Sequence, residues 1–161
     1  MSRLEADGLS VDLPRGWDGQ IRPAGQSAPS GTAAAAVAED DGERYGSVLH
    51  AATFALPAVR GDYGSGAVEV MGGSDVLVCL LEHEPEAIDT ALFKRQGLPR
   101  LTTNAFSPQS MQRAIAGMSG YQRFFQLNGR AFCLYVVVGS HLTRGPLVRE
   151  AAAVVGSIRA R

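Results

Sequence analysis

Lysine is nearly missing from this chain of 161 residues: Lys94 stands alone beside 14 arginines. Together with abundant alanine and glycine, that bias reflects GC-rich coding more than chemistry. Cysteine is scarce as well. Cys79 and Cys133 both fall inside apolar, strand-like runs, the setting of small buried hydrophobes in a reducing compartment. The longest apolar stretch, "AFCLYVVVG", is far short of the roughly 20 residues that span a bilayer. No charged start leads into an apolar run of the secretory type. The expectation is a soluble, cytoplasmic protein without membrane contact.

Catalytic signatures are missing too. Gly-x-Ser-x-Gly is absent, since "GMSGY" and "GSGAV" do not fit it, and so is the dinucleotide fingerprint Gly-x-Gly-x-x-Gly. His50, His83 and His141 show no metal-ligand spacing and lie near no cysteine pair. No cofactor, metal or catalytic centre is therefore expected.

What is present is ordinary globular composition, 45% apolar and 19% charged, on a chain about one domain long. The charge is unevenly placed. Residues 1–93 hold 15 acids and 5 arginines, a net −10, whereas residues 94–161 hold 10 basic residues and only Glu150, a net +9. Such a split fits an acidic or nucleic-acid partner for the basic half. It fits equally two halves that interleave in space and neutralise one another.

Along the chain, "GLSVDLPRGW" alternates Leu9, Val11 and Leu13 with polar residues, which is strand period two, and Pro14 ends it. Trp17 is expected to cover one end of the core, and "DGQIRPA" to form a short return strand. Residues 23–46, rich in Ala, Gly, Ser, Pro and acid, predict a long surface loop with at most a helical fragment at "TAAAAVAED". "SVLHAATFALP" and the nearly continuous apolar run "SDVLVCLLEH" are strands, the second covered on both faces. "EPEAIDTALFKRQG" has the look of a helix or ordered loop. "FSPQSMQRAIAGM" opens like a helix, with Ser107 as N-cap and Pro108 at the first position.

The strongest local signal is "GYQRFFQLNGRAFCLYVVVG". Asn128-Gly129 between two strand-like runs specifies a type I′ hairpin that pairs Leu127 with Arg130 and Phe125 with Phe132. Both faces of that hairpin are substantially apolar, so helices are expected on both sides of the sheet. "GPLVREAAAVVGSIRAR" closes the chain as an amphipathic helix.

Three stretches invite a chemical reading. In "PAVRGDYGSGAVEVMGG", Arg60-Gly61-Asp62 matches an adhesive tripeptide and the glycines suggest a phosphate cradle. The cradle lacks a lysine and a strand–loop–helix frame, so the stretch is read as a tight connector after Pro57. "CLLEHEPE" sets Cys79 and His83 on one strand face with Glu82, Glu84 and Glu86 close by, the alternative site for a small-ligand binder or hydrolase-like enzyme. "YQRFF" interleaves Arg123 with aromatics, faintly like a single-strand nucleic-acid face, but its aromatics serve better as core.

The opening strand ending in Pro-x-Gly-Trp, the hairpin "FFQLNGRAFCLYVVV" and the closing helix resemble, in outline, a superfamily of α/β/α sandwiches. It includes the extrinsic P subunit of photosystem II, the Ran-binding nuclear import factor and bacterial effector-associated chaperones. The resemblance implies a single domain over 1–161, an α+β fold with a mainly antiparallel central sheet and helices on both faces. It also implies non-enzymatic, chaperone-like or assembly binding of another protein. The expected contact surface comprises Phe124 and Tyr135 on the sheet, or Trp17 with the 23–46 loop. A homodimer built on an edge strand is a further expectation.

Overall fold

A computed structural model describes residues 1–25 and 45–161. The predicted helical fragment and most of the 23–46 loop lie outside the described residues. The ends of that segment are tied together: Ala24 N donates to the Gly46 carbonyl at 2.8 Å, and Gly25 N to Asp62 Oδ2 at 2.9 Å.

The elements run β1 (Ser2–Ala6), β2 (Leu9–Leu13), β3 (Asp18–Pro23), β4 (Ser47–Ala52), β5 (Val76–His83), β6 (Ser119–Leu127), β7 (Arg130–Val138), α1 (Arg144–Gly156) and β8 (Arg159–Ala160). Five strands form one antiparallel sheet in the order β3-β4-β5-β7-β6, and β1-β2-β8 form a second, smaller one. The β6–β7 hairpin has the predicted register, with Leu127 opposite Arg130, Phe125 opposite Phe132 and Tyr121 opposite Val136. Its turn places Asn128 at φ 52° and Gly129 at φ 80°, the left-handed pair that type I′ geometry requires.

Alternation on β5 and β7 splits the core in two. Leu80, Phe132, Leu134 and Phe125 face one side, where α1 and the small sheet cover them with Val148, Val155, Leu9 and Val11. Leu77, Cys79, Cys133 and Tyr135 face the other side. There the cover is irregular chain, from Phe54, Tyr63, Val68 and Met71 in one segment and from Met111, Ile115 and Met118 in another.

This corrects the predicted α/β/α sandwich. The fold is mostly β: among the described residues there are two antiparallel sheets and a single helix near the C-terminus, and none of them places an α-helix on the second face. The reason lies in the covering chain. Pro57, Gly61, Gly64 and Gly66 break its first segment and Pro108 and Gly117 flank its second, and only the short 3-10 turns Val68–Val70 and Pro108–Ser110 form there. Ser107 does cap, accepting from Gln109 N at 3.1 Å, but the turn ends at Ser110 and Met111 is already extended. Its neighbour Gln112 then donates its N–H to the Tyr135 hydroxyl at 2.7 Å.

The two charge-biased halves do interleave. Arg130–Glu82, Arg161–Glu5 and Arg113–Glu69 each join a base of the C-terminal half to an acid of the N-terminal half.

One glycine locks β7 to the turn before β5. Gly139 N donates to the Asp75 carbonyl at 2.8 Å, and a Cβ at position 139 would sit 1.9 Å from the Gly72 carbonyl oxygen. That turn cannot give easily, because Asp75 also holds Gly72 N at 2.8 Å and Thr53 Oγ1 at 2.8 Å. Gly139→Ala should therefore destabilise the protein by about 3 kcal/mol in urea unfolding. A loss below about 1 kcal/mol would mean that the 72–75 turn moves aside freely.

Candidate functional site

Two places concentrate polar or exposed chemistry, one buried and one at a sheet edge. The buried one answers the question raised by Arg60-Gly61-Asp62. Arg60 is only 2% exposed, and the Asp62 side chain 8%. Arg60 Nε donates to His50 Nδ1 at 2.7 Å, its Nη1 to the Pro57 carbonyl at 2.6 Å, and its Nη2 to the Gln20 side-chain carbonyl. With Nδ1 accepting, the His50 proton sits on Nε2 and is donated to the Asp62 carbonyl at 2.8 Å. Arg22 Nη2 donates to the Arg60 carbonyl at 2.8 Å and lies 3.8 Å from the Asp62 carboxylate.

Burial pushes the His50 pKa down to about 3, and the two guanidinium groups push it the same way. Burial also lowers the pKa of Arg22, against the pull of Asp62, and that of Arg60, where Arg22 adds repulsion. The tripeptide is thus a structural strut under β3 and β4, and neither of its charged ends is presented to a receptor. The glycines around it serve geometry, as predicted: Gly64 and Gly66 have φ of 88° and 94°, and Gly61 N donates to the Ser65 carbonyl at 2.9 Å.

The alternative site near Cys79 does not converge. Cys79 is fully buried and burial raises its thiol pKa, the opposite of an activated nucleophile. Glu82 points to the other sheet face and is held by Arg130, while Glu84 and Glu86 are exposed. His83 packs its ring on Phe93 and Phe124 at centroid distances of 5.1 and 6.1 Å. Cys79 and Cys133 are both buried and form no disulfide. Among the described residues, no three His, Cys, Asp or Glu side chains gather as a metal site.

Of the residues expected to meet a partner, Tyr135 is 1% exposed, under Tyr63 and the 111–118 segment, and burial pushes its hydroxyl up to about 12. It is core here. Trp17 is partly buried against the first core and precedes β3, one edge strand of the large sheet. Phe124 lies on β6, the opposite edge strand, so the two are not brought together.

Phe124 marks the more distinctive surface. β7 occupies one side of β6; among the described residues, the other side is bridged only near its ends. Gly120 exchanges both main-chain bonds with Ser107, at 2.9 and 3.0 Å. Gln126 accepts from Gly97 N and donates to the Arg95 carbonyl, both at 2.8 Å. Residues of the same parity in a strand aim their main-chain groups the same way, so Gln122 and Phe124 also point outward. Their N–H and C=O groups have no partner among the described residues.

Beside this gap runs a groove of about 270 Å³ lined by Ala91, Leu92, Lys94, Arg95 and residues 122–124. Leu92 is 57% exposed at its rim, and Phe124 packs edge-on against Phe93 at 5.4 Å at its base. No helix among the described residues is long and apolar enough to cross a membrane. Comparison with protein-family models, with curated proteins and with solved structures finds no match to this chain.

Proposed function

We propose that this domain is a non-enzymatic docking module, which takes an extended segment of another protein onto the central stretch of β6. The carrying observation is the pair of outward-facing residues, Gln122 and Phe124, left unpaired between two chain bridges. A guest strand would satisfy two N–H and two C=O groups there, as in strand addition at other sheet edges. Leu92 and Phe124 would supply the apolar contact for its alternate side chains. The stretch between the two bridges, residues 121–125, leaves room for a guest of about five residues at most.

The test is Gln122→Pro. Proline at this position removes an outward N–H only, because the β6–β7 ladder runs through the odd-numbered residues, so the hairpin should survive. Peptides selected from a displayed random library on the native protein should bind the variant at least about tenfold more weakly. Equal binding by both proteins would sink strand addition at β6.

A further inference from the structure

We infer that the segment docked on β6 is acidic, a proposal that rests on the strand-addition reading and specifies its guest. Lys94, Arg95 and Arg123 line the groove beside the open edge. None of them has an acidic partner within ion-pair reach among the described residues, whereas Arg113, Arg130 and Arg161 of the same half do. Arg123 instead lies 5.4 Å from the Tyr121 ring centroid; burial raises the pKa of that hydroxyl, against the pull of Arg123 and Arg95. Among the described residues, three cations without an acidic partner thus flank four unpaired main-chain groups. An extended segment bearing Asp or Glu complements both features at once, the main chain through the ladder and the carboxylates through the cations.

A nucleic acid would use the cations but not the strand edge. It would also need open aromatic faces for stacking, and Phe124 is already packed against His83 and Phe93. The edge chemistry therefore favours a peptide.

The experiment uses three fluorescent peptides of about five residues, long enough to fill the gap, that alternate valine with glutamate, glutamine or lysine. Binding is read by anisotropy at low and high salt, with amide shifts mapped by NMR. Two or three exposed ion pairs correspond to about a tenfold preference for the glutamate peptide over the glutamine one at low salt. That preference should fall below about threefold in the Lys94→Ala/Arg95→Ala variant and at high salt. Gln122→Pro should weaken both peptides alike, and the shifts should cluster at 91–95 and 121–125. Equal binding of the glutamate and glutamine peptides would overturn the acidic guest while leaving strand addition standing. No binding of any peptide would overturn strand addition itself. An oligothymidylate that displaces the glutamate peptide, and binds Gln122→Pro as well as the native protein, would reassign the groove to nucleic acid.

Discussion

Replacing Arg130 by methionine should destabilise the protein by about 3–5 kcal/mol, the range for leaving one member of a buried ion pair without its partner. Arg130 grips Glu82 with two parallel bonds, Nε to Oε2 at 2.9 Å and Nη2 to Oε1 at 2.8 Å, and these bonds raise its own pKa. Glu82 is buried with Gly46 packed against it: a Cβ at position 46 would lie 2.6 Å from its carboxylate oxygen. Water therefore has little room to replace the guanidinium. The same arginine reaches across to the small sheet, donating to the Arg161 carbonyl at 3.0 Å and to the Asp7 carbonyl at 3.2 Å. Its loss should loosen the attachment of β1-β2-β8 as well as strand the carboxylate. Urea unfolding of Arg130→Met, Glu82→Leu and the double variant separates the two effects. If the stranded charge dominates, the double variant should recover most of the loss. A single-variant loss below about 1 kcal/mol would show that Glu82 finds water after all.

The hairpin was legible because three local signals agreed: alternation in both arms, aromatic and β-branched residues, and Asn-Gly at the centre. An equivalent turn signal stands at Asp7-Gly8, with φ of 53° and 78°, and it closes β1 onto β2. Its first arm, Ser2–Ala6, is short, and Leu4 and Ala6 against Arg3 and Glu5 are too brief an alternation to mark a strand beside the turn. β8, two residues long, has no local signature at all; it exists because β2 presents an edge to it. At Ser107 the capping signal was right about the turn and wrong about its length. A cap describes how a helix begins, and the next residues here are recruited instead to cover Tyr135.

The candidate site was legible only in part. Phe124 is visible in the sequence as an aromatic on the second hairpin face, but edge position is a property of strand order. β6 becomes an edge because β5 takes the far side of β7, a pairing between residues about 50 apart in the chain that no local pattern encodes. Tyr135 shows the reverse: its burial depends on an irregular cover that carries no periodicity to read. Lys94, Arg95 and Arg123 belong to the basic half that composition shows, but which of its bases meet an acid, as Arg113, Arg130 and Arg161 do, is decided by the fold and not by the local sequence.

His50 predicts the acid behaviour of the fold. Its ring is fully buried, its Nδ1 is filled by the Arg60 N–H, and Arg22 lies close behind. A proton on Nδ1 would face a donor and a second positive charge, so the native ring stays neutral down to about pH 3. In the unfolded chain the same ring takes up a proton near its ordinary pKa of about 6.5. Below that pH the unfolded state binds the extra proton and the native state does not, so stability must fall as pH falls. The window runs from about 6.5 down to about 3, at about 1.4 kcal/mol per pH unit. Between pH 6.5 and 5, before most carboxylates titrate, His50 alone should remove about 2 kcal/mol. His50→Gln has no proton to gain. It should start less stable at pH 7, since a flexible amide replaces a rigid, fully buried ring, but its stability should decline less steeply over that interval. Parallel slopes for the two proteins would mean that His50 is protonated in the native state and that Arg60 turns away to admit the proton. The strut built on Arg60-Gly61-Asp62 would then be a looser structure than its bond lengths imply.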